Sequence, residues 1–329
     1  MLSFADYAIW KAGGALQIRT RISRLHTACN VQGVQLRHMT GLTNAIENPK
    51  AERIRRAADL NSRRGRDKSG KFLIEGPQSV REAVAYRPEV IQDIYVQVAS
   101  TDGGDPLKAM TPTSRRIVES ALEYEGEIYV HPVTAEVMQR LSKDAQGIAA
   151  VAGIGAMREA FEPTQELHNV AAFWQVRDPG NAGAVIRAAD AAGCDAVIFV
   201  DECVEVFNTK VIRSTAGSLF HLPVLHMGTE EFFAWAQQHS ISVMAADVYG
   251  TADRKPRLLP DVLTDERYLN QSKAVLFGNE ARGLEEDVLR RADRIVSIPI
   301  YGKAESLNLA TSAAVMLISM AMSSHIGRI

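Results

Sequence analysis

Three segments in the second half of the 329-residue sequence place polar side chains beside glycines, each just after or within an apolar run. Residues 177–187 read RDPGNAGAVIR, residues 277–284 read FGNEARGL, and residues 298–310 read IPIYGKAESLNLA. Glycine permits tight turns and a close approach of the backbone to a ligand. Loops that follow parallel strands are where an open α/β sheet binds its ligand. The three segments together therefore predict one polar binding site.

Each segment contains a residue type that suits chemistry better than packing. Asn181 can cap a helix, and Arg187 lies six residues further on, almost two helical turns away. Glu280 stands between two glycines just past an apolar run, where a carboxylate packs poorly but can meet a ligand. Ser306 and Asn308 precede the last apolar stretch, and capping a helix is their simpler role. Taken alone, the first segment fits an ordinary strand, turn and helix with a salt-bridged arginine better than a binding loop.

The sequence lacks the motifs of several common nucleotide-binding, hydrolase and metal sites. The glycine signatures G-x-G-x-x-G and G-x-x-x-x-G-K-[ST] do not occur, nor does the G-x-S-x-G of serine hydrolases. Cys29, Cys194 and Cys203 form no C-x-x-C pair and are odd in number, which argues against a zinc ribbon and a secreted disulfide framework. The eight histidines fall outside the three segments. We therefore expect no metal ion and a cytoplasmic location.

The elements that position these segments follow from length and composition. With 46% hydrophobic and 23% charged residues the chain is typical of globular proteins, and its length predicts two domains. The most apolar stretch, residues 309–322, is shorter than the roughly 20 residues that span a bilayer. This stretch predicts a buried helix and no membrane association.

Strand and helix patterns alternate twice along the chain, which predicts two α/β domains. We expect a tail over 1–46, a smaller α/β sandwich over 47–155, a linker over 156–168 and a second α/β domain over 169–329. The tail carries one acidic residue against five basic ones. Disorder or a true start at Met39 is its simpler interpretation, and a transit peptide is the alternative. The predicted strands are 71–75, 90–96, 128–130, 148–154, 170–176, 196–200, 241–247, 273–278 and 295–299.

A basic segment opens the first domain. Between Lys50 and Lys71 there are nine basic residues and three acids, although the whole chain has a net charge of −2. Arginine binds phosphate through a planar fork, so RNA contact is one interpretation, and a solvated helix face with a mobile loop is the other. The residues that we expect to face RNA are Arg53, Arg63, Arg64, Arg66 and Lys71.

The spacing of the three segments resembles the motifs of the SpoU (TrmH) branch of the SPOUT methyltransferases. The matching patterns are N-x-G-x-x-x-R from Asn181, G-N-E-x-x-G-L from Gly278 and I-P-x(6)-S-L-N from Ile298, over about residues 169 to 323. Residues 47–155, with FLIEG at 72–76 and QGI at 146–148, resemble the L30e-like RNA-binding domain. The resemblance implies a parallel sheet with a C-terminal trefoil knot, and a homodimer. Ala310 departs from the pattern, because many relatives have serine there.

The resemblance also implies an activity and a cofactor. It implies 2′-O-ribose methylation of RNA with S-adenosylmethionine, and the added first domain favours 23S ribosomal RNA. The alternatives are a tRNA 2′-O-methyltransferase and a non-catalytic RNA-binding protein with a decayed enzyme domain. By the same resemblance the cofactor would lie against Gly278, Ile298 and Leu307. The positions implied as catalytic or RNA-facing are Asn181, Arg187, Glu280, Ser306 and Asn308.

The mechanism proposed for the resembled family uses the arginine as a general base, a role to which a guanidinium is poorly suited. A guanidinium has a pKa above about 12 and does not readily give up its proton. We therefore expect Arg187 to bind the substrate phosphate and to stabilise developing alkoxide charge, with Asn308 and Ser306 orienting groups beside it.

Overall fold

Two β-sheets follow one another along the chain in a computed structural model that describes residues 45–99, 107–161, 167–269 and 271–324. The predicted tail lies outside the described residues except for its last two positions. There Ile46 adds a bridge to the edge of the first sheet, beside Val133. The first sheet thus begins one residue before the expected boundary.

The first sheet is mixed and has helices on both faces. Its strands are β1 (Lys71–Glu75), β2 (Ile91–Gln97), β3 (Tyr129–Val133) and β4 (Ile148–Gly153), in the order β1-β4-β2-β3. Strand β4 is antiparallel to both neighbours, and β2 is parallel to β3. The helices are α1 (Glu52–Asp59), α2 (Arg63–Ser69), α3 (Pro77–Tyr86), α4 (Pro112–Leu122), α5 (Ala135–Leu141) and α6 (Ile154–Glu159). Helices α1 and α5 pack on one face and α3 and α4 on the other, which is the sandwich that the sequence predicted.

Two local expectations for this region were wrong. Residues 63–69 form a short helix rather than a mobile loop, because the Ser62 hydroxyl accepts a hydrogen bond from the Gly65 amide and Gly70 ends the helix at a φ of 65°. The predicted linker also starts inside a helix, since α6 continues to Glu159.

The second sheet has seven strands, all parallel. They are β5 (Asn169–Trp174), β6 (Ala196–Val200), β7 (Val224–Met227), β8 (Ser242–Ala246), β9 (Arg257–Leu258), β10 (Lys273–Phe277) and β11 (Arg294–Ser297), in the order β7-β6-β5-β10-β8-β11-β9. The chain therefore returns twice to the middle of the sheet, placing β10 between β5 and β8 and β11 between β8 and β9. The parallel sheet is confirmed, and the trefoil knot stays a prediction.

Helices cover both faces of the second sheet. They are α7 (Pro179–Ala191), α8 (Thr209–Ser214), α9 (Thr229–Gln238), α10 (Leu259–Leu263), α11 (Glu266–Leu269), α12 (Glu286–Arg291) and α13 (Leu309–Ser324). Helices α7, α8, α10 and α13 bury side chains on one face, and α9 and α12 do so on the other. No helix in the described ranges has the length and hydropathy needed to cross a membrane.

The two sheets belong to one compact unit, Gly41–Ile329. Ile212, Leu219 and Phe220 from the second half of the chain are buried in the hydrophobic cluster that covers the first sheet. The two regions therefore meet through an apolar interface as well as through the connecting chain.

Candidate active site

The loops that carry the three segments leave the same edge of the second sheet. Strands β5 and β10 are adjacent and parallel, with Phe173 opposite Phe277, so their carboxyl ends meet. Asn279 Nδ2 donates a hydrogen bond to the Gln175 carbonyl at 2.7 Å. Arg282 Nη2 donates to the Gln175 side-chain oxygen at 2.7 Å. The second segment is thus hydrogen-bonded to Gln175, two residues before the first segment begins.

A chain of side-chain hydrogen bonds joins all three segments. Asn181 Nδ2 donates to Glu280 Oε1 at 3.3 Å, and the Asp178 amide donates to the same oxygen at 3.3 Å. Asn308 Nδ2 donates to Asn181 Oδ1 at 3.1 Å. Glu280, Asn181 and Asn308, which the sequence placed in three separate segments, therefore form one polar cluster.

Local sequence explains why Asn181 is available for this cluster. The cap of α7 is Asp178, whose Oδ1 accepts the Asn181 amide at 2.7 Å, and Pro179 follows at the first helical position. The capping role suggested for Asn181 was therefore wrong, and its side chain can turn to Glu280. The Asp-Pro pair at 178–179 was the signal for this cap.

The turn between Gly278 and Gly283 depends on its glycines. The Asn279 amide donates to the Gly283 carbonyl at 3.0 Å and the Gly283 amide donates back at 2.9 Å. A Cβ at position 278 would lie 2.3 Å from the Gly283 carbonyl carbon, and Gly283 itself has a φ of 67°. Asn279, which sequence reasoning missed, is buried and its Oδ1 accepts the Ala281 and Arg282 amides. Its side chain holds the turn that presents Glu280.

The third segment is an exposed loop that ends at a helix cap. Asn308 Oδ1 accepts the amides of Ala310 at 2.9 Å and Thr311 at 3.3 Å, so Asn308 caps α13 as well as reaching Asn181. Ile298 is half-buried against the core, whereas Leu307 is 36% exposed. The segment therefore has both apolar side chains and solvent-exposed backbone groups that a ligand could contact.

Arg187 and Ser306 lie outside the hydrogen-bonded cluster. Both side chains are exposed, and neither makes a hydrogen bond or an ion pair with any part of the chain that the structure describes. A salt-bridged arginine that braces its helix is thus not what the structure has. Arg187 is left available for an anionic ligand.

The cysteines near the sheet are poor nucleophiles. Burial raises the pKa of Cys203 to about 11 and that of Cys194 to about 12. A thiol attacks as its thiolate, so both side chains are almost entirely unreactive at neutral pH.

The basic segment of the first region is only partly accessible. Arg66 is 2% exposed, and its guanidinium donates to both carboxylate oxygens of Glu205 and to the Leu60 carbonyl. This placement corrects the prediction that Arg66 faces RNA. Arg53, Arg63 and Arg64 are exposed and Lys71 is half-buried. Arg53 also contacts His131 through Nη1, at 3.2 Å from Nδ1.

Comparisons with known proteins find relatives of both regions. Residues 168–318 match the SpoU rRNA Methylase family, and residues 51–150 match the MRM3-like substrate binding domain. The chain is 30% identical over 272 residues to the 23S rRNA (guanosine(2553)-2′-O)-methyltransferase RlmP of Bacillus subtilis, covering 83% of this chain and 97% of that protein. It is 27% identical over 259 residues to the 23S rRNA (uridine(2479)-2′-O)-methyltransferase of Streptomyces viridochromogenes, covering 78% and 85%.

A solved structure of an rRNA methyltransferase has a similar fold. The AdoMet-bound rRNA methyltransferase from Sinorhizobium meliloti superposes with a TM-score of 0.66 at 25% identity, covering 85% of this chain and 97% of that one. Both the four-stranded and the seven-stranded regions fall within family matches, and nearly the whole length of the Bacillus relative is spanned. The chain belongs to the SpoU rRNA methylase family.

Proposed function

We propose that this protein transfers a methyl group from S-adenosylmethionine to a ribose 2′-hydroxyl of ribosomal RNA, with 23S rRNA as the substrate. The observation that carries the proposal is the cluster of Asn181, Glu280 and Asn308, built from three loops at one sheet edge. Arg187 lies on the same helix as Asn181 and has no partner among the described residues. The named activities of the relatives in Bacillus and Streptomyces support the choice of reaction and RNA.

The chain has residues that fit S-adenosylmethionine. This ligand has no pyrophosphate, so it needs no glycine-rich phosphate loop, and backbone amides and carbonyls can hold its adenine and ribose. Gly278 directly follows β10 and lets the backbone approach Gly283 closely across the turn. Ile298 and Leu307 add apolar side chains on the third segment. When bound, the cofactor supplies the methyl group as an electrophilic sulfonium substituent.

The side chains of the site are proposed to orient the RNA and stabilise charge. Methyl transfer needs the 2′-oxygen in line with the methyl carbon, so orientation alone can contribute several kcal/mol. Arg187 binds a substrate phosphate and stabilises the negative charge that develops on the 2′-oxygen. Asn181, Glu280 and Asn308 are already held in place by hydrogen bonds. Ser306, exposed on the third segment, would orient substrate groups beside Asn308.

Residues 47–155 are proposed to be the RNA substrate-binding domain and residues 169–329 the methyltransferase domain, with a connection that begins only after helix α6 ends at Glu159. The exposed arginines Arg53, Arg63 and Arg64 and the half-buried Lys71 would supply contacts to phosphates, which attract such side chains regardless of sequence. A non-catalytic RNA-binding role is disfavoured, because a decayed enzyme would have no reason to retain the hydrogen-bonded cluster.

We also propose a homodimer that acts in the cytoplasm. Helix α13 contains no charged residue, and its Val315 and Met322 are exposed. An uncharged helix face of this kind suits association with a second copy. Light scattering should give a molar mass twice that of the monomer. Replacing Val315 and Met322 with lysine should shift the measured mass toward that of the monomer.

The direct test combines methyl transfer with mapping. Purified protein is incubated with labelled S-adenosylmethionine and ribosomal RNA from a strain lacking the gene, and the product is digested and analysed by mass spectrometry. We expect one 2′-O-methylated nucleotide in 23S rRNA that is missing in the deletion strain. Methylation of a base, transfer to tRNA alone, or no transfer would contradict the proposal.

A further inference from the structure

Residues 203–220, which we call the bridging segment, lie between the hydrophobic cores of the two regions. Val211 is buried in the cluster of the second sheet, and the next residue, Ile212, is buried in the cluster of the first sheet. Leu219 and Phe220 also belong to the first cluster. The segment is therefore packed on both sides.

On one side the bridging segment contacts the loop that leads to Asn181. The Val204 amide donates to the Val176 carbonyl at 2.8 Å. Ser214 Oγ donates to the Pro179 carbonyl at 3.0 Å. These two contacts bracket residues 176–179, which connect β5 to the helix that carries Asn181 and Arg187.

On the other side the bridging segment contacts the first region through charged groups. Arg66 donates from Nε and Nη2 to Glu205 Oε1 and Oε2 at 2.7 and 2.6 Å, a two-point contact that fixes both distance and orientation. Arg213 Nη1 lies 3.2 Å from Glu75 Oε2 and also contacts Asp144. Glu205 directly follows Val204, so the ion pair and the loop contact are one residue apart.

We infer that Arg66 and Glu205 are positioning residues, which set where RNA held by the first region presents its ribose to Asn181 and Arg187. This inference rests on the proposed function. Misplacing a reacting group by about 1 Å can cost on the order of a hundredfold in rate. Arg66 is buried, so it acts through Glu205 and the bridging segment and does not contact RNA itself.

A double-mutant cycle tests this assignment. Arg66→Met, Glu205→Met and the double variant are compared with wild type for kcat at saturating RNA, RNA affinity and S-adenosylmethionine affinity. Because the two side chains act as one unit, we expect each single variant to lower kcat by about tenfold or more, and the double variant to lower it no further. Both affinities should change by less than about threefold, since neither residue touches a ligand.

The matched control is an exposed ion pair of the second region. Arg290 and Glu286 pair at 2.7 Å with more than half of each side chain exposed. Arg290→Met and Glu286→Met should leave kcat unchanged, because exposed pairs contribute little. Loss of RNA affinity in Arg66→Met alone would instead assign Arg66 to direct RNA contact and overturn the inference, as would an unchanged kcat in folded single variants.

Hydrogen exchange supplies a measurement that does not need activity. Without RNA, peptides covering residues 175–183 should exchange faster in both Met variants than in wild type or the Arg290→Met control. Unchanged exchange there would overturn the inference. If wild type methylates no RNA, the proposed function fails. The exchange measurement still shows whether the Arg66–Glu205 pair holds residues 175–183 in place. Should the single variants fail to fold, the double variant, which leaves no unpaired charge, gives the same comparison.

Discussion

Asn308 donates a hydrogen bond from Nδ2 to Oδ1 of Asn181 at 3.1 Å, although 127 residues separate them in the chain. The side-chain oxygen of Asn308 accepts two amides at the start of α13. One side chain therefore caps a helix and also holds the first motif against the third. These two roles can be separated by substitution.

Asn308→Asp should keep the cap and lose the link. A carboxylate still accepts the amides of Ala310 and Thr311 and is favoured at a helix N-terminus, but it cannot donate to Asn181. We expect thermal stability close to wild type and a methylation rate lower by about tenfold or more. Asn308→Ala removes both roles and should also cost about 1 kcal/mol of stability. Full activity of the Asp variant would show that the link to Asn181 does not matter.

Gly183 is required by the packing of α7 on α8. A Cβ there would lie 1.8 Å from Ser214 Oγ and 2.7 Å from the Val211 carbonyl oxygen. Gly183→Ala should therefore lower the free energy of unfolding by about 1–3 kcal/mol, as overpacked sites do. Adding Ser214→Ala should not restore it, because the backbone carbonyl remains in the way. Gly302→Ala, where a Cβ meets nothing within 4 Å, is the control for chemical denaturation.

The parallel fold could be predicted because its central strands are continuous apolar runs. Residues such as 196–200 and 273–277 are buried on both faces and read as strands without context. Strand β7 was missed because it has only four residues, none of them fully buried, which is too short for a distinct strand pattern in the sequence. Helix α8 ends at Ser214, and Ala216 and Gly217 just beyond it have φ values of 53° and 104°. That conformation is set by packing, which single-sequence patterns do not contain.

The meeting of the three motifs could be predicted, whereas the choice among the basic residues could not. Parallel strands bring their carboxyl ends to one edge, so Asn181, Glu280 and Asn308 had to lie near each other. Arg66 looks the same in sequence as its arginine neighbours on α2. Only its partner Glu205, 139 residues away, makes it a buried structural residue.

His221 should make stability depend on pH. Its Nδ1 lies 2.7 Å from Asp190 and its Nε2 3.4 Å from Glu82, a residue of the first region. Burial alone would lower the pKa of His221, but these two carboxylates raise it above its usual 6.5. A raised pKa stabilises the folded state below about pH 6.5, and this contribution is lost as pH rises through the folded pKa.

We therefore expect wild type to lose stability relative to His221→Gln as the pH rises from about 6.5 through the raised pKa of His221. Chemical denaturation of both proteins across this range measures the difference. Arg81, which pairs with Glu82 at 2.8 Å, competes for that carboxylate and limits the effect. If the stability of the two proteins changes with pH in the same way, then protonation of His221 beside Asp190 and Glu82 does not stabilise the fold.

Arg63 and Arg64 should contribute to RNA binding through charge alone. Both are exposed on α2, and the pair between Arg63 and Asp67 is long at 3.7 Å. Replacing both arginines with Glu should weaken RNA binding by about tenfold or more at low salt and reduce the salt slope by about one for each phosphate that is no longer bound. S-adenosylmethionine affinity should not change. Arg116→Glu, exposed on α4 of the same region, is the control, and an equal loss of affinity for each charge reversed would mean a nonspecific effect of net charge.

Arg187 gives the sharpest test of the proposed chemistry. Its side chain is exposed and has no partner among the described residues, so removing it breaks no hydrogen bond or ion pair that the structure shows. Arg187→Ala should keep the thermal midpoint and the affinity for S-adenosylmethionine close to wild type. The single-turnover methylation rate should fall by on the order of a hundredfold or more, as expected when one preorganised charged group is removed.

The lysine variant separates charge from geometry at the same position. A lysine is a point charge and cannot reproduce the two parallel donors with which a guanidinium binds a phosphate, so Arg187→Lys should recover little of the rate. Full activity of Arg187→Lys would refute the two-point contact while keeping a role for positive charge. A lower melting temperature with an unchanged single-turnover rate in Arg187→Ala would instead make the residue structural. Measuring the melting temperature, cofactor affinity and single-turnover rate on one preparation of each variant decides among these outcomes, because each one moves a different quantity.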